Sequence, residues 1–169
     1  INALYIDVSS GSLLDMTGLG VDDIRNHVIR TPSDPDITYD DDPLRILRCV
    51  RFASRFGWEI SAETYSGMIR NVSRLSIITS ERIREELFKM LTGPRPVMAM
   101  ELLRNTGAMH YVIPEFDASF DMTQNEYHSG TVWEHTLAVL KGVAGNSIEI
   151  CFAALLHDIG KTVTRTESE

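Results

Sequence analysis

One helical segment constrains the fold of this chain more than any other feature of its sequence. Residues 42–56 open with an Asp-Pro pair, which favours a helix start with proline at the first helical position, and Gly57 ends the segment. At about 100° per residue, four arginines fall on one third of the helix and apolar residues fill most of the opposite side. The arginines are Arg45, Arg48, Arg51 and Arg55; the apolar residues are Ile46, Leu47, Cys49, Val50 and Ala53. We therefore predict a helix that packs on one face and presents guanidinium groups on the other.

Glycines and prolines divide the rest of the chain into further segments. Helical periodicity predicts helices at residues 62–71, 80–91, 96–106, 131–144 and 148–157. The first residues differ, because apolar residues 3–8 and Leu13-Leu14 flank a Ser-Ser-Gly-Ser turn that predicts a β-hairpin. Residues 23–30 predict a helical turn that leads into a strand, and residues 31–36 a rigid polar linker. The expected fold is mainly α with a small N-terminal β-hairpin.

The net charge of −8 hides a basic centre between two acidic flanks. Residues 45–104 contain eleven basic and six acidic side chains, whereas residues 1–44 contain nine acidic and two basic ones, and residues 105–169 nine acidic and three basic ones. A basic stripe can neutralise phosphates even in an acidic protein. A solvated helical surface explains the same clustering equally well, so charge alone leaves both interpretations open.

Cysteine usage and hydropathy point to a cytoplasmic protein with no membrane partner. Cys49 and Cys151 both lie in apolar helical segments, which favours buried free thiols in a reducing compartment. Apolar runs stay below the ~18 residues that a membrane span requires. No basic region followed by an apolar stretch indicates a signal peptide. The chain begins with Ile1 instead of Met and reads as the inside of a strand, so we expect a fragment of a longer protein.

Asp42 and Arg45 have the chemistry to select cytosine and adenine. A carboxylate accepts a hydrogen bond from an exocyclic amine, and an arginine donates to the acceptor beside that amine. Guanine and uracil present a donor where the arginine needs an acceptor. Each good bidentate contact is worth about 1–3 kcal/mol. The other arginines suit a triphosphate or an RNA backbone, although an amphipathic surface helix with ion pairs along it has the same pattern.

Residues 41–53, with the sequence Asp-Asp-Pro-Leu-Arg-Ile-Leu-Arg-Cys-Val-Arg-Phe-Ala, resemble the base-selecting motif of class II tRNA nucleotidyltransferases. This family comprises the CCA-adding enzymes and bacterial poly(A) polymerases, and it usually has Glu where this chain has Asp41. Three further segments resemble family motifs in the right order, so the resemblance covers essentially the whole chain. They are residues 1–4 (Ile-Asn-Ala-Leu), the hinge residues 15–18, 23–24 and 29–30, and the neck residues 80–91.

The resemblance implies roles for particular residues. Asp42 and Arg45 would pair with the base of incoming ATP or CTP, and Arg48 would lie near the triphosphate. Asp41 and either Glu85 or Glu86 would support the helix, and the spacing alone does not choose between the two glutamates. The partner would be tRNA. The Mg²⁺ ligands of the family lie in a Gly-Ser and Asp-x-Asp region that would precede residue 1, so we expect this chain alone not to add nucleotides.

A second group of residues resembles the metal-dependent HD phosphohydrolase domain. The sequence Glu-His-Thr contains His135, and His157-Asp158 is followed by Ile-Gly-Lys. The resemblance implies that His135, His157 and Asp158 would bind a divalent metal, with a further aspartate as fourth ligand. No aspartate follows Asp158 in this chain, so we expect a truncated domain and weak binding. For His128 we expect helix capping or packing.

These observations predict three regions and leave alternatives open. Residues 1–38 would be the end of the nucleotidyltransferase head, 39–122 the neck and body that bind nucleotide and RNA, and 123–169 the start of the HD domain. The leading function is part of a tRNA 3′-end nucleotidyltransferase; the alternatives are an HD-type phosphohydrolase and a non-catalytic RNA-binding module. The sequence does not separate CCA from CC, A or poly(A) addition. Exposed strand edges would favour a homo-oligomer.

Overall fold

The structure, a computed structural model, describes residues 3–123 and 130–164, and this part of the chain is mainly helical. Two small two-stranded sheets accompany the helices. The predicted fold class is therefore confirmed. Among the described residues, no helix combines the length and the apolar character needed to cross a bilayer.

The N-terminal part forms the predicted hairpin. Strands β1 (Leu4–Ile6) and β2 (Leu13–Asp15) are antiparallel, with Leu4 opposite Asp15. The helical turn α1 (Gly20–Arg25) then leads into strand β3 (Val28–Ile29), as predicted. Strand β3 pairs in parallel with β4 (Glu59–Ile60), which follows the arginine-rich helix and so attaches the N-terminal part to it.

The middle of the chain is a group of packed helices. The arginine-rich helix is α3, which ends at Phe56 because Gly57 adopts a left-handed conformation at φ 70°. Prediction and structure agree on the bounds of α4 and α5. Short 3₁₀ helices cover Val72–Ile77 and Pro114–Ser119. The α-helices of this part are α2 (Pro35–Asp41), α3 (Leu44–Phe56), α4 (Ala62–Asn71), α5 (Ser80–Leu91), α6 (Pro96–Asn105) and α7 (Met109–Val112).

Two sequence-based expectations are wrong at the start of α3. The predicted linker at residues 31–36 runs into helix α2, because Asp34 caps the amides of Asp36 and Ile37 and Pro35 occupies the first turn. Asp42 follows the end of α2 rather than belonging to α3, which begins two residues later. Its Oδ1 still accepts a hydrogen bond from the amide of Leu44 at 3.3 Å. The predicted boundary at residues 38 and 39 thus falls within α2.

The C-terminal helices pack on the central group. They are α8 (Val132–Gly142), α9 (Ile148–Leu156) and α10 (Lys161–Thr164). The Thr131 and Glu134 side chains form a capping box at the start of α8. His128 and residues 1–2 of the first resembling motif lie outside the described residues, so the predictions made for them stay predictions.

A single cluster of buried side chains extends from Ile29 near the N-terminus to Leu155 in α9. One face of α3 lies at its centre, since the predicted apolar face of this helix is almost completely buried. Four residues of α3 have no exposed surface: Ile46, Leu47, Val50 and Ala53. The opposite face of α3 is thereby held at the surface, where the arginines are.

Candidate nucleotide-binding cleft and metal-ligand cluster

A cleft of about 490 Å³ lies between the N-terminal part and the start of α3. Its size is within the range of small-molecule sites in proteins. Asp42, Arg45 and Arg48 all line it, together with the ring of Phe52 one turn further along α3. The structure therefore brings the three predicted nucleotide-binding residues to one cavity.

Asp42 lies where the chain passes from α2 to α3, and it is only partly exposed. Arg82 of α5 donates from Nη2 to both carboxylate oxygens of Asp42, at 3.2 and 3.3 Å. The side chains of Arg82 and Asp42 remain 50% and 29% exposed. This ion pair orients the carboxylate while leaving it within reach of a ligand in the cleft.

Arg45 is held by the end of α2. Its Nη2 lies 2.6 Å from Asp41 Oδ2, and its Nη1 donates to the carbonyl oxygen of Thr38 at 3.2 Å. The Asp41 side chain is 64% exposed. Asp41 thus contacts Arg45, which lines the cleft, from the end of α2.

Helix α5 holds α3 through Glu86 rather than Glu85. Glu86 is buried in the interface between these helices and accepts a hydrogen bond from Arg51 Nε at 2.6 Å. Glu85 points outward and lies 3.7 Å from Lys89. The geometry therefore distinguishes two residues that the spacing does not.

The expectation that all four arginines of α3 face solvent is wrong for Arg51. Its side chain is only 15% exposed, and its guanidinium lies over the Phe52 ring at 4.3 Å as well as against Glu86. Because this charge is already paired in a half-buried position, Arg51 contributes to the attachment of α3 and is unsuited to an external phosphate.

The opposite wall of the cleft carries a further ion pair. Arg30 donates to both carboxylate oxygens of Asp23, the shortest contact being 2.9 Å, and the bonded Asp23 raises the pKa of the guanidinium. Tyr39 and Cys49 form part of the buried lining. Burial raises the pKa of Cys49 to about 12 and that of Tyr39 above its ordinary value, so both groups are neutral at physiological pH.

The three predicted metal ligands lie together at the C-terminal end of the described chain. Ligand atoms of His135, His157 and Asp158 are all within 4.8 Å of one another. The Nδ1 atom of His157 lies 2.8 Å from the Ala154 carbonyl oxygen, which favours a proton on Nδ1 and leaves Nε2 as a ligand. This orientation fits a metal-binding histidine.

Asp158 already has a cationic neighbour. Burial opposes its ionisation, but the hydrogen bond from Lys161 and the proximity of His157 and His135 hold the pKa of this carboxyl below its ordinary value. Lys161 Nζ lies 2.6 Å from Asp158 Oδ2. The carboxylate is therefore ionised and suitable as a ligand, although a metal ion would compete with the ammonium group for it.

Several residues in or beside the cleft were not predicted from the sequence. Arg82 belongs to the neck motif of residues 80–91, and its spacing of four from Glu86 places both on one face of α5. That spacing is the signal that could have identified it. Arg30 belongs to the hinge motif, but neither its spacing nor that of Tyr39 indicates a partner, because their positions depend on the packing of α2 and β3 against α3.

Known proteins are similar to this chain over its whole length. A family model described as "Probable RNA and SrmB- binding site of polymerase A" matches residues 57–120. The multifunctional CCA protein of Vibrio parahaemolyticus is 38% identical over 100% of this chain and 42% of its own length. The one of Neisseria gonorrhoeae is 38% identical over 97% of this chain and 40% of its own length. The chain thus spans about two fifths of the length of these curated relatives.

Solved structures agree with these relatives. A CCA-adding enzyme of Bacillus stearothermophilus in complex with CTP is 32% identical, with a TM-score of 0.63 over 69% of this chain and 30% of that one. A tRNA nucleotidyltransferase complexed with a primer tRNA and an incoming ATP analogue is 26% identical, with a TM-score of 0.69 over 92% of this chain and 45% of that one. Sequence similarity and fold together show that the chain belongs to the class II tRNA nucleotidyltransferase family.

Proposed function

We propose that this chain provides base selection and tRNA binding in a tRNA 3′-end nucleotidyltransferase that uses CTP and ATP. The observation that carries the proposal is that Asp42 and Arg45, an acceptor and a donor suited to cytosine and adenine, line one cleft with Arg48. Relatives and neighbours described as CCA proteins, or solved with CTP, an ATP analogue or a primer tRNA, support the same substrates.

The proposal includes the division of the chain and the ion used in transfer. Residues 1–38 would belong to the catalytic head, 39–122 to the neck and body, and 123–169 to an HD domain. Nucleotide transfer in this family would depend on a divalent metal, and Mg²⁺ is the ion we propose. The residues of the cleft would bind and orient the nucleotide, while the basic surface of residues 45–104 would contact tRNA phosphates.

Binding of the four ribonucleoside triphosphates to the purified chain tests the proposal. Calorimetric titration should detect CTP and ATP, with GTP and UTP binding much more weakly. Asp42→Ala and Arg45→Ala should each weaken CTP and ATP binding about 5- to 150-fold, which corresponds to about 1–3 kcal/mol for one good contact. Arg84→Ala is the matched control, since Arg84 is an exposed arginine of α5 outside the cleft.

Two other outcomes would contradict base selection. Equal binding of all four triphosphates would remove Asp42 and Arg45 as selecting residues. RNA binding that falls steeply with salt, without any nucleotide preference, would instead support a non-catalytic RNA-binding module.

A metal-dependent phosphohydrolase is a second candidate function, favoured by the cluster of His135, His157 and Asp158. A bound divalent ion would supply an activated water for phosphoester hydrolysis. Metal-dependent phosphatase activity that is lost in His157→Ala would support this candidate. If no phosphatase activity is detected with Mn²⁺, Co²⁺ or Mg²⁺, this result would argue against a phosphohydrolase.

A further inference from the structure

A row of four aromatic rings begins at the cleft and continues along the surface away from it. Phe52 lines the cleft and lies 6.1 Å from Phe56, with the two ring planes within 9° of parallel. The Phe56 ring is 5.1 Å from Trp58, and the Trp58 ring is 5.3 Å from His27. We call these four side chains the aromatic row.

Two left-handed backbone conformations bring the rings together. Gly57 at φ 70° ends α3 and reverses the chain, so that the amides of Gly57 and Trp58 both bond to the Ala53 carbonyl. His27 has φ 58°, the one non-glycine residue with positive φ in the described chain. Such a conformation is uncommon for a residue with a Cβ and often marks a functional position. Here it sets the imidazole on the indole of Trp58.

The aromatic row lies at the edge of the buried core, since Phe52 and Trp58 pack against the core cluster while Phe56 and His27 extend to the surface. Phe56 is 40% exposed, His27 is exposed, and Trp58 and Phe52 are half-buried. A ring that served packing alone would be expected to be buried, as Phe116 is, whereas Phe56 and His27 are exposed. The exposed parts of the aromatic row offer stacking surface to a planar ligand.

Arginines flank the aromatic row. The Arg48 guanidinium lies 5.9 Å from the centre of the Phe52 ring, at the cleft end. Arg55 and Arg95 are exposed beside Gly57, and Arg95 Nη1 donates to the Arg55 carbonyl at 3.2 Å. Neither of these two has a carboxylate within ion-pair distance among residues 3–123 and 130–164, and Glu59 is the exposed acid next to them in sequence. Exposed rings interleaved with unpaired arginines are the combination that single-stranded nucleic acids bind.

We propose that the aromatic row binds the unpaired nucleotides at the 3′ end of the RNA acceptor. Bases would stack on the exposed rings of Phe56 and His27, and Arg55 and Arg95 would contact the phosphates between them. The Phe52 end would deliver the last nucleotide to the cleft that holds Asp42 and Arg45. This inference rests on the proposed function for the identity of the RNA, while the stacking chemistry itself does not depend on base selection.

Intrinsic tryptophan fluorescence of the whole chain tests this site. Trp58 is half-buried in the aromatic row, whereas Trp133 is 1% exposed and packs against Phe116 and Phe120. The probes are a seven-nucleotide single-stranded RNA ending in CC and a blunt duplex that contains the same strand. The single strand should quench Trp58 fluorescence and bind more tightly than the duplex.

Two variants separate stacking from charge. Phe56→Leu keeps an apolar side chain on α3 but removes the ring, and should weaken single-strand binding roughly ten-fold while CTP binding stays within two-fold. Arg55→Ala should weaken binding and lower the slope of log K against log salt by about 0.7. Phe88→Leu is the control for Phe56→Leu, because Phe88 is a half-buried ring of α5 outside the cleft.

The outcomes distinguish this inference from the proposed function. Unchanged single-strand binding in both Phe56→Leu and Arg55→Ala overturns the inference, as does equal affinity for the duplex. If Asp42→Ala shows no loss of CTP binding but Phe56→Leu still loses the single strand, base selection fails and the RNA site stands. The reverse pattern removes the RNA site and leaves base selection intact.

Discussion

Arg82 and Glu86 lie one turn apart on α5 and hold two different parts of the cleft-bearing segment. Their ion pairs differ in burial, and burial determines how much each pair contributes to the free energy of unfolding. The pair of Arg82 and Asp42 is largely exposed, and exposed pairs are typically worth about 0–1 kcal/mol. The pair of Arg51 and Glu86 has side chains only 15% and 4% exposed, so loss of one partner leaves a buried charge. Glu86 therefore fixes α3, and Arg82 orients a residue that remains free to change partner.

Glu86→Gln should destabilise the chain substantially. The substitution leaves the Arg51 guanidinium half-buried without its counter-charge, and breaking a buried pair typically costs about 3–5 kcal/mol. Urea unfolding followed by circular dichroism measures the change in the free energy of unfolding. The neighbouring Glu85→Gln is the matched control and should stay within about 0.5 kcal/mol, because Glu85 is 66% exposed. Equal effects of the two substitutions would show that the Glu86 pair does not hold α3.

At the level of single residues, the sequence does not indicate whether Glu85 or Glu86 contacts α3. Both glutamates are present in the neck motif, and their types and spacing are equally compatible with support of α3. Which one faces Arg51 depends on the rotation of α5 relative to α3, which the burial of Ile83, Leu87 and Met90 sets. The residue types of a site could be predicted, but not which of two neighbours makes the contact.

Among the elements, α2 has the largest influence on the cleft, because Asp41 and the Thr38 carbonyl that hold Arg45 both belong to it. Helix α2 has seven residues and is too short to be stable alone. It packs closely on α4, where a Cβ at Gly67 would lie 2.3 Å from Pro35 Cβ. Arg70 and Asn71 of α4 also bond to Asp36. The position of Arg45 thus depends on the contact between α2 and α4.

Gly67→Ala should displace α2 and weaken nucleotide binding. The added methyl group cannot fit without moving the Pro35 ring, and overpacking of this kind costs about 1–3 kcal/mol. We expect a lower urea midpoint together with weaker CTP binding in calorimetry. Gly142→Ala in α8 is the control, since a Cβ there meets no atom within 4 Å and alanine favours a helix. Wild-type CTP affinity in Gly67→Ala would show that α2 does not position Arg45.

The sequence predicted the longer helices well and the short ones poorly. The bounds of α4 and α5 agree with the prediction because periodicity and polar starts coincide in both, and Gly93-Pro94 follows α5. The predicted linker of residues 31–36 includes the first two residues of α2, and the rest of α2 was not predicted, since its stability comes from α4. Helix α7 and the 3₁₀ segments were missed for the same reason: packing, not local pattern, determines them.

At the scale of the whole molecule, the two candidate sites share one core. Trp133 and Leu140 of α8 and Cys151 and Leu155 of α9 belong to the same buried cluster as α3. The His and Asp cluster is therefore attached to the helices that carry the cleft. The sequence predicted both sets of site residues, but it could not indicate that their elements pack together, because contacts between distant segments leave no local pattern.

A divalent metal should stabilise the chain through the cluster at the end of α9. Addition of millimolar Mn²⁺ or Co²⁺ should raise the melting temperature, by linkage of binding to folding, and His157→Ala should abolish the increase. Lys161→Met should enlarge the increase, because it removes the ammonium group 2.6 Å from Asp158. Thermal unfolding followed by circular dichroism provides the measurement.

His110→Ala is the control for this experiment, since His110 is an exposed histidine that lies 2.5 Å from Asp117 and is remote in sequence from the cluster. A metal-induced increase that persists in His157→Ala would assign the metal to other groups and remove the cluster as its site.

If Asp42 and Arg45 select the base as proposed, the partners that they already have within the chain make this recognition an exchange reaction. Asp42 is bonded to Arg82, and Arg45 to Asp41, so a base gains only the difference between its own hydrogen bonds and those it displaces. Every base would displace these pairs, but guanine or uracil would in addition leave donors facing donors. Such a site would discriminate between bases while holding each nucleotide only loosely. A rejected nucleotide would then dissociate rapidly, because the two ion pairs re-form. The cleft would be free again to bind the next nucleotide.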